Sequence, residues 1–257
     1  MGVITILKNE RLREITRLAN QHGVVSVNDI SKHLKVSSMT IRRDLDELAT
    51  DNKIIRVHGG AQSVNFQVGS KELSHTQKRA LNKPDKAQIA KIVSSMINDG
   101  ETIFLGTGTT NELVAQYLKV KNVRIITNSL PVFEGFRRTH PEIDIALVGG
   151  KLREYSGAFI GSLANSLIEQ LHFQKSFISV NGVNNNKVTN SNPDEGQMQK
   201  LALDRSDQKY IVADHTKFDQ EDFYTFYALD NVDGLITDAS VPNEFVKKYE
   251  GYTRIIK

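Results

Sequence analysis

Two adjacent arginines, Arg42 and Arg43, stand near the start of a short helical pattern and could bind an anion or a base edge. The apolar side chains of the pattern recur at Ile41, Leu45 and Leu48. Ser37 is suited to cap the first turn, because its hydroxyl accepts a hydrogen bond from an otherwise unpaired amide. The planar fork of arginine binds guanine edges or phosphates. The segment 37–48 therefore predicts a DNA recognition helix, and the competing interpretation is a solvated helix face.

The segments on either side supply elements that would position this helix. Ser26 and Asp29 have the spacing of a capping box at the start of a supporting helix, and residues 10–20 carry a further helical pattern. Residues 54–58 alternate apolar and basic side chains, which indicates a hairpin wing that ends at Gly59 and Gly60. We predict a winged helix-turn-helix domain at 1–63, with the helix-turn-helix at about 25–44 and the wing at about 53–61. The predicted DNA contacts are Ser37, Ser38, Met39, Thr40, Arg42, Arg43, Arg56 and His58.

The net charge is concentrated in this N-terminal part. The chain of 257 residues has a formal charge of +3. Residues 1–65 contain 10 Lys and Arg against 7 Asp and Glu, and the remainder is neutral with 23 of each sign. A basic excess favours contact with DNA phosphates, so we expect nucleic acid to bind the N-terminal part and not a broad surface of the remainder.

The composition narrows the class of protein and of site. There is no cysteine, which excludes disulfides and thiolate metal sites, and the 7 histidines show no ligand spacing. We therefore expect neither a metal nor a cofactor. No apolar run approaches the roughly 20 residues of a membrane span, and residues 3–7 do not have the pattern of a signal peptide. The expectation is a soluble cytoplasmic protein.

The rest of the chain alternates strand and helix patterns. Residues 64–82 are polar with little apolar periodicity and are predicted to form the linker, so that a second domain would span 83–257. A helical pattern covers 83–97, and strand patterns follow at 101–105, 123–127, 144–148, 176–180, 210–213, 234–237 and 254–256. Further helical patterns lie at 111–118, 132–138, 162–171, 195–204 and 243–250. This alternation predicts an α/β domain with a mainly parallel open sheet.

Polar and small residues follow five of the predicted strands. They lie at 106–110 (Gly-Thr-Gly-Thr-Thr), 128–129, 149–151 with Arg153 nearby, 181–182 and 214–217. Ligands of such sheets bind beyond the carboxyl ends of the strands, and glycines and hydroxyls before a helix suit a phosphate. The cluster predicts a site for a small phosphorylated polyol. Purely structural βα turns remain the alternative, as do a surface ion pair for Asp214 and Lys217 and a solvated position for Arg153.

Together these motifs resemble the DeoR family of bacterial transcriptional regulators over essentially the whole chain. The family's recognition-helix signature is matched by Ser37 and by Thr-Ile-Arg-Arg-Asp-Leu at 40–45, and its wing ends in His-Gly-Gly-Ala, here at 58–61. The family's effector domain is matched at 106–110, 127–129, 149–150 and 213–218. The resemblance implies a DNA-binding regulator whose effector domain has the fold of ribose-5-phosphate isomerase.

Within the family, four segments are similar to the lactose phosphotransferase system repressors: 72–76, 79–86, 179–182 and 223–227. This similarity implies tagatose 6-phosphate as effector and the lactose or galactose operon as target. The predicted effector contacts, most of them at the ends of the predicted strands, are Gly106, Thr107, Gly108, Thr109, Thr110, Asn128, Ser129, Gly150, Lys151, Arg153, Asn181, Glu195, Asp214 and Lys217.

Three functions are compatible with these patterns. The first is a repressor, a dimer or tetramer, that leaves operator DNA when the sugar phosphate binds. The second is a sugar-phosphate isomerase with an appended DNA-binding domain. Isomerases of this fold carry an acidic segment after a central strand, whereas 179–186 here contains no acid, and only Asp194 or Glu195 could supply one. The third is a constitutive architectural DNA-binding protein. We expect the first, without enzymatic turnover.

Overall fold

The protein consists of two compact units, residues 1–72 and 73–257. The computed structural model describes residues 7–22, 24–51, 53–57, 60–63 and 73–257. Each unit has its own hydrophobic core, and each is described separately below.

Within its described residues, the first unit combines three helices with a small antiparallel sheet. The helices are α1 (Lys8–His22), α2 (Val27–Leu34) and α3 (Ser38–Thr50), and the strands are β1 (Val24–Ser26), β2 (Ile54–Val57) and β3 (Gly60–Ser63). The strand order is β1-β3-β2. Gly60 lies opposite Ser26, and a Cβ at position 60 would approach the carbonyl oxygen of Val25 to 2.1 Å. The predicted Gly60 therefore does not end the wing but allows its second strand to pair closely with β1.

One buried ion pair joins two helices of the first unit. Arg11 of α1 donates from Nε and Nη2 to the two carboxylate oxygens of Asp44 in α3, at 2.5 and 3.0 Å. The side chains are only 11% and 4% exposed. Asp44 lies beside the apolar stripe of Ile41, Leu45 and Leu48, which is buried as predicted. The pair thus fixes α3 against α1 with the geometric specificity of a two-bond contact.

The second unit is built on a parallel sheet of seven strands in the order β15-β14-β12-β9-β4-β5-β6. The strands are β4 (Thr102–Leu105), β5 (Arg124–Thr127), β6 (Asp144–Leu147), β9 (Phe173–Ser179), β12 (Ser206–Val212), β14 (Gly234–Ile236) and β15 (Ile255–Ile256). The chain proceeds from β4 through β5 to β6 on one side, and then from β9 through β12 and β14 to β15 on the other. The connections therefore reverse direction between the neighbours β4 and β9.

Helices cover both faces of this sheet. They are α4 (His75–Ala80), α5 (Lys83–Ser95), α6 (Leu130–Thr139), α7 (Ser162–Ile168), α8 (Pro193–Asp204) and α9 (Asn243–Tyr249), with 3-10 turns at Asn111–Gln116, His215–Lys217 and Leu229–Asn231. Successive strand residues face opposite cores: Ile103 and Leu105 pack with α5 and α6, whereas Phe104 packs with α7 and α8. Burial on both faces explains why the strands are continuous apolar runs.

The sequence predicted the seven parallel strands and most helices, and the structure adds elements that it did not predict. These are a hairpin of β7 (Lys151–Arg153) and β8 (Ala158–Ile160), and a second sheet of β10 (Gly182–Asn184), β11 (Lys187–Asn190) and β13 (Tyr224–Ala228). Residues 73–82, predicted as the end of the linker, belong instead to the second unit and contain α4. In the part of the chain that the structure describes, no helix has the length and apolarity needed to cross a membrane.

Replacing Asp44 by alanine tests the buried pair. The change leaves the Arg11 guanidinium buried without its carboxylate, so we expect the free energy of unfolding of the first unit to fall by about 3 kcal/mol. Asp46→Ala is the matched control, because Asp46 lies two residues along the same helix and pairs with Arg56 at the surface. That change should cost less than about 1 kcal/mol. Hydrogen-exchange pulse labelling of peptides from 8–50 across a urea series measures the free energy of unfolding of both variants. Equal decreases in the two variants would contradict a stabilising role for the buried pair.

Candidate functional site

The exposed side of α3 forms the first candidate site. Ser37 caps the helix, and its Oγ accepts a hydrogen bond from the Thr40 amide at 3.2 Å. Arg42 and Arg43 are exposed on this helix, and Met39 is 63% exposed although it is apolar. Ser38 and Thr40 are half-buried. The N-terminal half of α3 thus presents two cations, hydroxyls and one apolar side chain to solvent, as predicted.

The turn before α3 sets the angle between α2 and α3. Ser26 Oγ accepts from the Asp29 amide at 3.1 Å and thereby begins α2. Lys35 ends α2 with a φ of 54°, and Ser31 Oγ donates to the carbonyl oxygen of Val36 at 2.6 Å. This left-handed residue and this hydrogen bond make a short, fixed turn, which is the arrangement of a helix-turn-helix.

The predicted contacts in the wing differ from those on α3. The Arg56 guanidinium donates to Asp46 at 2.9 Å and to the carbonyl oxygen of Gly60 at 2.7 Å. These bonds orient Arg56 along the wing and occupy part of its donor capacity. His58 lies outside the described residues.

The second candidate site is a cleft at the carboxyl ends of β4, β9 and β12. These are neighbouring strands, and the reversal of connections between β4 and β9 leaves a crevice between the loops that follow them. The cleft encloses about 790 Å³ not filled by protein atoms, including open solvent at its mouth. It is lined from α4 and the residues around it, from the loop after β4, from the loops after β9 and β12, and from α8.

A buried lysine marks one wall of the cleft. Lys86 of α5 is 6% exposed, and its Nζ donates to the carbonyl oxygen of Lys78 at 2.5 Å. Burial lowers the pKa of the Lys86 ammonium; Asp214 opposes this effect, and Lys217 and Lys78 add to it. Lys78 and Lys217 line the same cleft. Three lysines therefore meet at this part of the cleft, Asp214 and Glu112 offset part of their charge, and the remaining positive charge suits an anion.

The loop 106–110 lies beside these lysines and supplies hydroxyls. Thr107, Thr109 and Thr110 are buried and line the cleft with Gly108. Gly108 has a φ of +144°, and a Cβ there would lie 2.5 Å from the Cβ of Ser179. The buried Ser179 Oγ, which also lines the cleft, has no hydrogen-bond partner within the described part of the chain. Glycine is needed at 108 so that the loop can approach β9 this closely.

The cleft lining also carries a buried carboxylate and amides. Glu195 is 3% exposed; it accepts from Arg153 at 3.1 Å and from the hydroxyl of Ser156. Asn181 accepts from Lys78 at 3.0 Å and donates to Asp222 at 2.9 Å. Asn190 and Gln199 also line the cleft. Carboxylate and amide groups of this kind bind hydroxyl groups, so the lining as a whole suits a molecule that carries both an anionic group and hydroxyls.

Asp214 fixes the loop after β12 and does not form the surface ion pair with Lys217 that the sequence left open as an alternative. Asp214 is buried and accepts from the amide and the hydroxyl of Thr216 and from Asn82 at 3.4 Å. The next residue, His215, donates its amide to Asp238 at 2.7 Å. The ring Nδ1 of His215 lies 3.0 Å from Asp238 and 4.0 Å from Asp85. Asp85, His215 and Asp238 offer ligand atoms within 4.8 Å of one another. Asp238 is already held by the amides of His215 and Ser240, which accounts for the cluster as a loop anchor.

The structure brings together eight of the fourteen predicted effector residues: Thr107, Gly108, Thr109, Thr110, Asn181, Glu195, Asp214 and Lys217. Gly106 helps to fix the loop 106–110, since its carbonyl oxygen accepts a hydrogen bond from the Asn111 side chain at 2.9 Å. Arg153 acts on the cleft through Glu195. The cleft lining does not include Asn128, Ser129, Gly150 or Lys151, which follow the more distant strands β5 and β6. Asn128 instead donates to Phe159, and Ser129 caps α6.

Sequence reasoning missed the contribution of α4 and its neighbours. Lys78 lies in the segment that was predicted to be linker, and Lys86 lies in the predicted helix 83–97. Both lysines line the cleft. The signal that could have found α4 is the capping box of Ser74 and Gln77, in which each side chain bonds the backbone of the other.

Comparison with known proteins agrees with this geometry. Residues 11–67 match the DeoR-like helix-turn-helix domain, and residues 81–239 match the DeoR C terminal sensor domain. The chain is 42% identical over 251 residues to the lactose phosphotransferase system repressor of Streptococcus mutans, with 97% of this chain and 99% of the relative covered. It is 40% identical over 250 residues to the repressor of the same name from Staphylococcus aureus, with the same coverage.

Among solved structures, one similar protein is ribose 5-phosphate isomerase A from Methanocaldococcus jannaschii. The TM-score is 0.39 at 16% identity, and the match covers 53% of this chain and 55% of that one. The two domain matches and the full-length relatives establish the family: the chain belongs to the DeoR family of transcriptional regulators.

Proposed function

We propose that this protein is a transcriptional repressor of a lactose or galactose operon, and that a phosphorylated sugar releases it from its operator. The observation that carries the proposal is the buried Lys86 in a cleft of hydroxyl, amide and carboxylate groups, on the same chain as an exposed recognition helix. The full-length relatives named lactose phosphotransferase system repressors support this target. Tagatose 6-phosphate is the first candidate ligand, because it has one phosphate and several hydroxyls.

The DNA-binding step follows from α3. Its N-terminal half enters the major groove, where Arg42 and Arg43 bind guanine or phosphate, with contacts from Ser37, Ser38, Met39 and Thr40. Arg56 and His58 of the wing approach the phosphate backbone. Two copies bind together, because two recognition helices read half-sites spaced by whole helical turns.

The release step follows from the cleft. The phosphate of the ligand binds at Lys86, Lys217 and the 107–110 hydroxyls, where its charge compensates the buried ammonium. The sugar hydroxyls bind Asn181, Glu195 and the neighbouring amides. Operator binding and ligand binding must then weaken each other by the same factor.

Arg43→Ala tests the recognition helix. Loss of one bidentate base contact costs about 1–3 kcal/mol, so specific affinity should fall about 5- to 150-fold. The operator is taken as the sequence that the wild-type protein selects from a random DNA pool, and affinity is measured by fluorescence anisotropy at fixed salt. Arg13→Ala, an exposed arginine of α1, is the control for charge alone and should change affinity less than about threefold. Equal losses in the two variants, or a selected sequence with a single half-site, would contradict this proposal.

Gly108→Ala tests the cleft. The added Cβ combines a strained φ with a clash against Ser179, and it displaces the Thr107–Thr110 loop. We expect tagatose 6-phosphate to bind at least about tenfold more weakly, and operator DNA to bind as in wild type and to stay bound when ligand is added. Calorimetry and anisotropy measure the two affinities. The alanine replacement of Gly149, where a Cβ has open space, should behave as wild type.

We also propose that the ligand binds without turnover. Both carboxylates of the cleft are held by donors: Glu195 by Arg153 and Ser156, and Asp214 by Thr216 and Asn82. A general base needs a lone pair directed at the proton that it removes. Incubation of the protein with tagatose 6-phosphate and with ribose 5-phosphate should give no isomer by NMR. Isomer formation that disappears in Glu195→Gln would show the isomerase alternative to be right.

A further inference from the structure

Helix α4 is both the first element of the second unit and a wall of the cleft. In sequence it follows residues 64–72, through which the chain arrives from the first unit. Leu73, His75 and Lys78 line the cleft, and Leu81 and Asn82 do so directly after the helix. A ligand bound in the cleft would therefore contact the residues that directly follow segment 64–72 in sequence.

The attachment of α4 to the rest of the unit is mostly polar. No residue of α4 is buried, whereas the next helix, α5, buries Ile89 and Val93 completely. Polar contacts hold α4 in place: the His75 amide donates to the carbonyl oxygen of Tyr155 at 3.0 Å, Lys78 donates to Asn181 at 3.0 Å, and Arg79 lies 3.7 Å from Glu112. Such contacts exchange readily with water, so the position of α4 is more easily altered than that of α5.

Two of the contacts that hold α4 lie inside the cleft. Lys86 Nζ donates to the carbonyl oxygen of Lys78, and the ammonium of Lys78 donates to Asn181. The ammonium groups of Lys78 and Lys86 therefore belong to one cleft but to different helices. An anion bound at Lys86 attracts Lys78 as well, because a partly desolvated cleft strengthens the interaction between charges.

We infer that α4 is the element through which the ligand acts on the DNA-binding unit, and that Lys78 carries the coupling. The inference rests on the proposed function. The ligand binds more tightly when α4 is docked, because only then does Lys78 contribute to the anion site. By linkage, ligand binding stabilises the docked position of α4 by the same factor. The docked helix fixes the first residues of the second unit, which residues 64–72 join in sequence to the DNA-binding unit.

Hydrogen exchange measures the docking directly. The full-length protein is labelled alone, with saturating tagatose 6-phosphate, and with unphosphorylated tagatose. The phosphorylated sugar should slow exchange of peptides covering 73–82 several-fold, and tagatose should not. Peptides from α9, a short helix outside the cleft lining, are the internal control and should exchange equally in all samples. Unchanged or faster exchange at 73–82 with bound ligand would overturn the inference.

Lys78→Gln and Lys83→Gln form a matched pair of variants. Both remove one positive charge, but Lys83 is exposed at the start of α5 and does not line the cleft. The measured quantity is the ratio of operator affinities without and with tagatose 6-phosphate, at a concentration that calorimetry shows to saturate each variant. Wild type and Lys83→Gln should give a ratio of about ten or more, whereas Lys78→Gln should give less than about three.

The outcomes separate this inference from the proposed function. If calorimetry detects no binding of any hexose phosphate or pentose phosphate in a panel, the proposed function fails, and the inference fails with it. If tagatose 6-phosphate binds and releases DNA equally from wild type and Lys78→Gln, the proposed function stands and the inference is overturned.

Discussion

The reversal of strand connections between β4 and β9 is the constraint on which the cleft depends. All seven strands of the sheet run parallel, so their carboxyl ends lie at one edge, and loops on neighbouring strands normally pack against each other. At β4 and β9 the following segments leave in opposite directions, and a crevice remains between them. The Gly106–Thr110 loop, Asn181 and Asp214 line this crevice because they follow β4, β9 and β12, which are adjacent in the sheet.

Within this crevice, the buried ammonium of Lys86 decides which ligands are favourable. A charged group shielded from water is stable only when other groups compensate it, and here a backbone carbonyl at 2.5 Å and the nearby Asp214 do so in part. Lys78 and Lys217 add positive charge to the same cleft. On the proposed function, a phosphate compensates this excess better than water does, whereas a neutral sugar gains only hydroxyl contacts. The charge arrangement would then favour a phosphorylated ligand over the neutral sugar.

Much of this architecture could be predicted from sequence, because it depends on local patterns. The apolar stripe of Ile41, Leu45 and Leu48 identified α3, the cap at Ser37 identified its start, and apolar runs identified the parallel strands. The roles of Asn128 and Gly150 could not be predicted in the same way, because they depend on strand order. Asn128 follows β5 and Gly150 follows β6, and both residue types suit a phosphate site. In the sheet, however, β5 and β6 lie on the other side of β4 from the crevice. The ion pair of Arg11 and Asp44 could not be predicted for a related reason. The two residues are thirty-three positions apart, and their contact depends on how the helices pack.

The unpredicted helix α4 gives the strongest reason to consider the two units as one thermodynamic system. A ligand changes DNA affinity only to the extent that it binds the competing states of the protein differently, so some contact of the ligand must differ between those states. Contacts to β4, β9 and α5 do not meet this condition easily, because these elements are fixed by the cores that cover both faces of the sheet. Helix α4 meets it, because it contributes Lys78 to the cleft while burying none of its own residues. On the inferred coupling, the helix of the cleft wall that buries none of its own residues is thus the part that transmits the state of the ligand.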